Sequence, residues 1–511
     1  MTINGITIKW PVWVLIILLV CVGAYFLAPK FYSGIGKTKK VGLNSWSGFA
    51  PEIKQNEGLL YNKESRNAKE FDLKVEFVQI EDRGTAIAAL ASKEVDAIWT
   101  TTDIMSTEVS QGSDLVKIGI AQILMIDRSN GADVIVGDRT IKNVLDAKGK
   151  KVAYTPASAS HTLLLNWLGS AGLTMNDVIS VPVASGMKAA EMFKSHDVPI
   201  AVVWSPDDGD CYAGVQGSHE LFSTAKAKNI VMDGLIVRKE DLKDKGMREF
   251  FKKLCKSWLV ANAECNTSDQ KKKEAATCFV KSFTGTNEAV VLDGLNKVRL
   301  STYDDNKNFF GLNVTFKGVT GEDLYTRMAN IYSTIKDEKG GYLTNNPLPW
   351  KQVADESIIE EITDLKGDQS AEPDVVKFTP ITPAMEKTME TSVPATAVKV
   401  TVNFDINSYA LDDDAKTILD REVQPYVKAF SGYRIRVEGN TDKSGNPKQN
   451  VKLSFMRAKA VTDYLIETYK FDPNRFTKPI GWGSKNPIYP KEVSEQERAS
   501  NRRTEISFIN E

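Results

Sequence analysis

The chain has 511 residues, so two or three domains are expected, each large enough to bury its own core. Its formal net charge is -1, from 65 basic and 66 acidic residues, which excludes a strong field of one sign that would draw it to nucleic acid. An apolar content of 42% and a charged content of 26% match an average globular protein and exclude global disorder.

The N-terminal segment, residues 1–40, contains the uncharged run WPVWVLIILLVCVGAYFLA from Trp10 to Ala28. About 20 such residues at 1.5 Å rise cross a hydrocarbon core of roughly 30 Å, so the run predicts one transmembrane helix. A cleaved signal peptide, with VGA at 22–24 as its cleavage site, is the alternative. The apolar run continues past that site, which favours an uncleaved signal anchor. More lysines follow the span than precede it, and this count alone favours a cytoplasmic C-terminus.

The chemistry-bearing residues indicate no metal site, no cofactor and no enzyme. Three histidines are present, and the cysteine spacing fits no zinc pattern. The nucleophile elbow, the phosphate-binding loop and the His-Glu-x-x-His helix are all missing from the sequence. In an oxidising compartment the cysteines outside the apolar run allow three disulfide pairings, and sequence does not choose among them. These cysteines are Cys211, Cys255, Cys265 and Cys278.

Residues 41–363 alternate short β-rich runs with helical patterns. KVGLNSW, DLKVEFVQI, VDAIWTTTD, ADVIVG, KKVAYTP and IAVVWSP are typical of strands, whereas RGTAIAALASKE and SHTLLLNWLGSAG are typical of helices. This alternation predicts an α/β domain of two lobes with a mostly parallel sheet and crossover helices.

Two further regions follow the central one, and their sequence patterns differ from it and from each other: residues 364–397 and residues 398–511. The first stretch is rich in proline, threonine and acidic residues, which predicts an extended linker. The second predicts a compact domain with strands at VKVTVNF, YRIRVEG, RFTKPIGWG and RTEISFIN. Its first helix carries apolar residues at fourfold spacing, at Leu411, Ala415, Leu419, Val423 and Val427.

The stretch GNTDKSGNPKQNVKLSFMRAKAV, residues 439–461, places a turn-rich loop before a basic helix that should begin near Pro447. Asn450, Leu453 and Arg457 share one face of that helix, and Asp442 lies in the loop that leads into it. A carboxylate and a guanidinium a few ångströms apart suit a zwitterion that carries both an ammonium and a carboxylate. A surface salt bridge of little energetic value is the alternative.

Four ordered motifs, VEGNTDKSG, NVKLSFMRAKAV, GWGSKNP and SNRRTEISF, resemble the OmpA-like peptidoglycan-binding domain shared with Pal and MotB. The resemblance covers about 110 residues and implies an α+β domain. It further implies that Asp442 and Arg457 bind the diaminopimelate of the peptide stem. Asn450, Leu453, Asn501 and Arg502 would then surround the pocket. Asn440 departs from the histidine that is usual in that family.

The central region resembles, more weakly, periplasmic substrate-binding proteins of the nitrate, taurine and thiamine-precursor type. The resemblance rests on VGLNSWSGFAP, AIAALASKEVDAIWTTTD, SASHTLLLNWLGSAGL and KAAEMFKSHDVPIAVVWSP. Such proteins close two lobes on a small ligand held by strand-to-helix loops. Hydroxyls and amides there could hold an anion, and tryptophan could cover an apolar or cationic group. The candidate contacts are Ser45, Trp46, Thr101, Thr102, Asp103, Ser158, Ser160, His161, Trp204 and Asp207.

The combined prediction is a single-pass inner-membrane protein with the bulk of its chain in the periplasm. Its partners would be peptidoglycan, the membrane, and a small ligand or a membrane protein complex, with no nucleic acid. One alternative is the binding subunit of an ABC importer tethered to the wall. Another is a stator resembling MotB, although that family carries an aspartate in its span and residues 10–28 contain none.

Overall fold

The computed structural model describes residues 38–336, 340–372, 377–392 and 407–509, together with 2–3, 6–7, 394, 396–398, 402 and 404–405. The predicted transmembrane run, residues 10–28, lies outside these residues. Within the described ranges, no helix combines the length and the apolar character that crossing a bilayer requires. Cys211, Cys255, Cys265 and Cys278 are free thiols.

The strands are numbered in chain order. The first nine are β1 (Thr2–Ile3), β2 (Ile6–Thr7), β3 (Lys39–Leu43), β4 (Val75–Gln79), β5 (Ala97–Thr101), β6 (Ile120–Ser129), β7 (Asp133–Gly137), β8 (Lys151–Tyr154) and β9 (Ile179–Pro182). The others are β10 (Ile200–Trp204), β11 (His219–Ser223), β12 (Met232–Arg238), β13 (Val298–Leu300), β14 (Thr396–Val398), β15 (Arg434–Gly439), β16 (Ile480–Gly481) and β17 (Thr504–Ile509).

The α-helices are given by their bounds. In the central region they are Ala50–Asn56, Arg66–Phe71, Arg83–Ala91, Met105–Glu108, Asp114–Ile118, Ala159–Ser170, Gly186–Lys194, Asp207–Gly214, Lys245–Thr267, Asp269–Ser282, Glu288–Asn296, Tyr303–Phe309, Gly321–Tyr332, Trp350–Val353 and Ser357–Glu361. Towards the C-terminus they are Pro383–Thr391, Asp413–Ile418, Gln424–Ala429, Pro447–Tyr469 and Glu495–Asn501.

The central region forms two α/β lobes, as predicted. Lobe 1 carries a six-stranded sheet in the order β13-β6-β12-β5-β3-β4, and lobe 2 carries a five-stranded sheet in the order β11-β7-β10-β8-β9. The prediction of mostly parallel sheets is wrong. In lobe 1, β3 pairs in parallel with β4 and with β5. The other pairs of this sheet, β5 with β12, β12 with β6 and β6 with β13, are antiparallel. These antiparallel pairs arise because β6 leads out of lobe 1 into lobe 2 and β12 returns from it.

The C-terminal domain has a four-stranded sheet in the order β14-β17-β15-β16, and the Pro447–Tyr469 helix packs on it. The close approach of that helix depends on glycine. A Cβ at Gly439 would lie 2.0 Å from the carbonyl oxygen of Ser454, and one at Gly481 would lie 2.4 Å from that of Val451. The predicted 411–427 helix begins at Asp413, after Leu411, and contains a π-helical turn at Leu419–Val423.

Residues 364–397 do not form the extended linker that their composition predicts, as far as they are described. On the central side, Lys366 forms an ion pair with Glu70 and Glu372 forms one with Arg128. On the C-terminal side, the chain folds into the Pro383–Thr391 helix. The guanidinium of buried Arg436 on β15 donates to the carbonyl of Met389 at 2.7 Å. Specific charge and backbone contacts therefore hold both ends of this stretch against a domain.

The C-terminal domain packs directly on lobe 2, and their apolar residues form one continuous buried cluster. The ring of Phe222 on β11 lies 5.2 Å from that of Phe430 and 6.0 Å from that of Tyr433, measured between centroids. The backbone N–H of Gly432 donates to the carbonyl of Lys226 at 2.8 Å, and a Cβ at Gly432 would lie 2.8 Å from the Lys226 Cα. The contact is thus as closely packed as a domain core.

Candidate functional site

The C-terminal candidate site lies where β15 ends and the Pro447–Tyr469 helix begins. The helix starts at Pro447, as predicted, and the side chain of Asn446 caps it by accepting from the N–H groups of Lys448 and Gln449. Asn450, one turn further along, donates to the carbonyl of Ser444 at 2.8 Å. These short-range bonds fix the loop that carries Asp442.

Asp442 makes its direct ion pair with Arg502, not with Arg457. The Arg502 Nη1 lies 2.7 Å from the Asp442 Oδ2, and the Oδ1 of Asp442 accepts from the backbone N–H of Ser444 at 2.9 Å. Each partner of the ion pair keeps 11% of its side chain exposed. Arg502 also reaches Glu495 at 2.6 Å. The predicted carboxylate is therefore mostly buried, keeps a small exposed area and already lies beside one guanidinium.

Arg457 is fully buried behind that pair. Its Nε and Nη2 donate to the carbonyls of Ser408 and Asp405, at 2.9 and 3.0 Å, and its guanidinium lies 5.1 Å from the ring centroid of Phe404. Burial lowers its pKa to about 10, with Arg502 acting in the same direction and Asp442 in the opposite one. Arg457 therefore stays charged at neutral pH.

Several polar atoms around these charges have no hydrogen-bond partner. They are the Nη1 of Arg457, the Nε of Arg502, the hydroxyl of Thr441, and both amide atoms of Asn440. Buried polar groups in proteins are nearly always paired, so a cluster of unpaired ones is a common mark of a ligand site. Asn440 and Thr441 directly precede Asp442 in the sequence, and the other unpaired atoms belong to the guanidiniums of Arg457 and Arg502.

The other predicted pocket residues have structural roles here. Asn501 is fully buried, and its amide makes hydrogen bonds with the backbone of Ile488 and Tyr489 and with the side chain of Glu492. Leu453 is half-buried on the helix. Glu492 was not among the predicted residues; its carboxylate accepts from the Lys443 N–H at 3.0 Å and so connects the 488–493 loop to the Asp442 loop. No short motif marks that residue.

The cleft of the central domain holds only some of the predicted ligand contacts close together. Thr101 on β5 lies opposite Asp233 on β12, which in turn lies opposite Asp127 on β6. The Thr101 hydroxyl donates to Asp233 at 3.2 Å, and the indole N–H of Trp46 donates to Asp127 at 3.2 Å. Asp127 and Asp233 were not predicted, although each is an acidic residue within a largely apolar strand, a pattern that could have identified them.

Four aspartates cluster near this end of the lobe 1 sheet. Burial raises the pKa of Asp103 and of Asp127 to about 7 and that of Asp133 to about 6. Burial, together with the neighbouring Asp127, also raises the pKa of Asp233 well above its usual value. The cleft is therefore an acidic environment that favours a proton or another cation on these carboxyl groups.

Other predicted contact residues form hydrogen bonds between the two lobes or within a single lobe. The Thr162 hydroxyl on lobe 2 donates to Asp103 on lobe 1 at 2.6 Å, and it lies 2.9 Å from the Tyr332 hydroxyl. His161 is buried beside Tyr332, and burial lowers its pKa to about 4. The remaining side chains form hydrogen bonds within their own lobe: Ser45 with Glu81, Thr102 with Gln122, Ser158 with the Thr155 carbonyl and Ser160 with the Val202 carbonyl.

The last two predicted contacts, Trp204 and Asp207, lie on lobe 2 and are partly exposed. Trp204 lies opposite Asp133 in the sheet, and both Trp204 and Asp207 pack closely on Gly186. Burial raises the pKa of Asp207 to about 6, with Asp210 and Asp208 contributing in the same direction. Lobe 2 therefore adds further acidic character to this end of the cleft.

Comparison with known proteins identifies both domains. Residues 403–502 match the family model described as "OmpA family", and residues 68–264 match the model described as "NMT1/THI5 like". The chain therefore carries an OmpA-family domain and an NMT1/THI5-like substrate-binding domain, which confirms both resemblances seen in the sequence.

Individual relatives match parts of the chain. Outer membrane protein A of Bordetella avium is 35% identical over 131 residues, 25% of this chain and 65% of that protein. The peptidoglycan-associated lipoprotein of Rhizobium meliloti (strain 1021) is 32% identical over 85 residues, 17% of this chain and 47% of that protein. The chain spans less than two thirds of the length of these relatives. The periplasmic aliphatic sulphonate binding protein SsuA from Escherichia coli superposes with a TM-score of 0.47 at 17% identity, covering 62% of this chain and 97% of that chain.

Proposed function

We propose that this chain is a binding protein of the bacterial envelope that attaches to peptidoglycan through its C-terminal domain. In the cleft of the central domain it would hold a small ligand, as a sensor or scaffold without enzymatic activity. The two family matches support this proposal, and so does the similarity to the peptidoglycan-associated lipoprotein of Rhizobium meliloti. The predicted span at residues 10–28 would anchor the chain in the inner membrane, with residues 41 onward in the periplasm.

The observation that carries the proposal is the small exposed area of the Asp442 carboxylate beside Arg502, together with the unpaired N–H groups of Arg457 and Arg502. Diaminopimelate in a stem peptide offers an ammonium and a carboxylate on one carbon. The ammonium would bind Asp442, and the carboxylate would satisfy Arg457 and Arg502. The Nε and Nη2 of Arg457 already donate to the carbonyls of Ser408 and Asp405, so its unpaired Nη1 is the atom that would bind the ligand carboxylate.

The two alternatives differ in their membrane partners. A delivery subunit of an ABC importer would copurify with a permease and an ATPase, whereas a stator would copurify with a channel-forming protein. The packed contact between lobe 2 and the C-terminal domain supports the scaffold, because it would fix the cleft relative to the wall. Copurification with neither type of partner is the result we expect.

Replacing Asp442 by asparagine should reduce cosedimentation of the full chain with diaminopimelate-type sacculi at least tenfold, to about the background level. The change removes the negative charge that the ligand ammonium requires but keeps the side-chain shape, and a hydrogen bond to a charged group contributes about 1.5–3 kcal/mol. Cosedimentation at several protein concentrations measures the change in affinity.

Asp463→Asn is the matched control, because Asp463 is an exposed aspartate on the Pro447–Tyr469 helix whose partner is Lys459. It should bind sacculi like the unchanged chain. A double variant, Asp442→Ala with Arg457→Ala, should also lose binding, and its thermal unfolding reports whether the domain is still folded. If both Asp442 variants bind sacculi normally, the proposal is wrong.

A further inference from the structure

The cleft of the central domain contains a pair of facing acidic residues, Asp127 and Asp233. They lie on the neighbouring strands β6 and β12. Like charges directly opposite each other in a sheet are destabilising, and removing a carboxylate from water adds a further cost. Within residues 38–336, no lysine or arginine forms an ion pair with either carboxylate or with the neighbouring Asp103 and Asp133.

The pair is held in place from two sides. The Trp46 indole donates to the Oδ2 of Asp127, and the Thr101 hydroxyl donates to the Oδ1 of Asp233, both at 3.2 Å. Gly48 leaves the space that Asp127 occupies, since a Cβ at that position would lie 1.9 Å from the Asp127 Oδ2. A glycine and two donors thus fix the direction of both carboxylates.

A second observation points to a ligand. Asp127 has no exposed surface, yet its Oδ1 has no hydrogen-bond partner, and the same is true of the Oδ1 of Asp103. Trp46 and Asp233 remain partly exposed, so the pair is open to the cleft. A buried carboxylate oxygen without a donor is satisfied by a hydrogen-bonding cation, and a nearby indole ring can also favour positive charge.

We infer that the cleft binds a small organic cation, with its ammonium group at Asp127 and Asp233 and beside the ring of Trp46. The sequence left the charge of the ligand open, since hydroxyls and helix N-termini suited an anion. Ser158 and Ser160 instead donate to backbone carbonyls, so the side chains of the cleft favour the cation. This inference rests on the proposed solute-binding function and names the class of its ligand.

The test is calorimetric titration of the detergent-solubilised full chain with ethanolamine, choline and putrescine as cationic probes. Isethionate, which has a sulfonate where ethanolamine has an ammonium, is the anionic counterpart. At least one cation should bind, and the Asp127→Asn/Asp233→Asn double variant should bind it at least tenfold more weakly. Isethionate should show no binding. Asp114→Asn, at an exposed aspartate of lobe 1 with 67% of its side chain accessible, is the control and should bind the cation normally.

Thermal unfolding of the ligand-free double variant checks the fold, and its melting temperature should be unchanged or higher because the variant no longer buries two acidic groups. Binding of isethionate alone would overturn the cation inference and leave solute binding in place. If no probe binds, or if a cation binds the double variant as well as it binds the unchanged chain, the inference is also overturned. Sacculus binding, which depends on Asp442, is measured separately and reports on the wall-binding half of the proposed function.

Discussion

Replacing Phe222 by alanine is expected to destabilise the chain by about 3–5 kcal/mol, because the ring is fully buried between lobe 2 and the C-terminal domain. The deletion leaves a cavity against Phe430 and Tyr433 that neither domain can fill alone. Denaturant unfolding of the full chain, followed by tryptophan fluorescence and circular dichroism, measures the loss.

Leu145→Ala is the control, since Leu145 also belongs to lobe 2 but keeps 51% of its surface exposed. It should cost well under about 1 kcal/mol. If Phe222→Ala costs no more than this control, the two domains are not packed together as described. The wall-binding domain would then be tethered independently of the cleft.

Replacing Gly439 by alanine is expected to destabilise the C-terminal domain by about 3 kcal/mol or more and to abolish sacculus binding. Overpacking a core costs about 1–3 kcal/mol when side chains can adjust. Here the added methyl group would lie 2.0 Å from the backbone oxygen of Ser454, so the whole Pro447–Tyr469 helix must shift. Thermal unfolding and cosedimentation with sacculi measure the two effects.

The same substitution at Gly209 is the matched control. Gly209 lies in the Asp207–Gly214 helix, and no atom outside its immediate chain neighbours lies within 4 Å of a Cβ built there. Alanine at this position should be neutral or stabilising by up to about 1 kcal/mol, through helix propensity. Equal stability of the two variants would mean that the helix does not contact β15 as closely as described.

Local sequence patterns predicted most elements of this fold. The alternating strand and helix patterns predicted the two lobes. The turn residues before Pro447 predicted where the Pro447–Tyr469 helix begins. The pairing of β6 and β12 could not be predicted, because it depends on how the chain crosses between the lobes. That pairing brings Asp127 and Asp233 together although they lie more than 100 residues apart, so the acidic cleft was missed.

The C-terminal site shows the same limit. Sequence motifs identified Asp442 and Arg457, but the direct partner of Asp442 is Arg502, 60 residues later in the chain. The composition of residues 364–397 predicted an extended linker. It did not predict the contacts that Lys366, Glu372 and Met389 make with the two domains. Long-range pairs of this kind depend on the tertiary fold, which local patterns do not determine.

The most direct test of the wall-binding site compares two stem tripeptides that differ by a single carboxylate. One contains meso-diaminopimelate at its third position, and the other contains lysine, which keeps the side-chain ammonium and lacks the carboxylate beside it. Calorimetric titration of the full chain should show binding of the diaminopimelate peptide at least tenfold tighter, because only that peptide can pair with both Asp442 and Arg457. Equal affinities, or no binding of either peptide, would contradict the account.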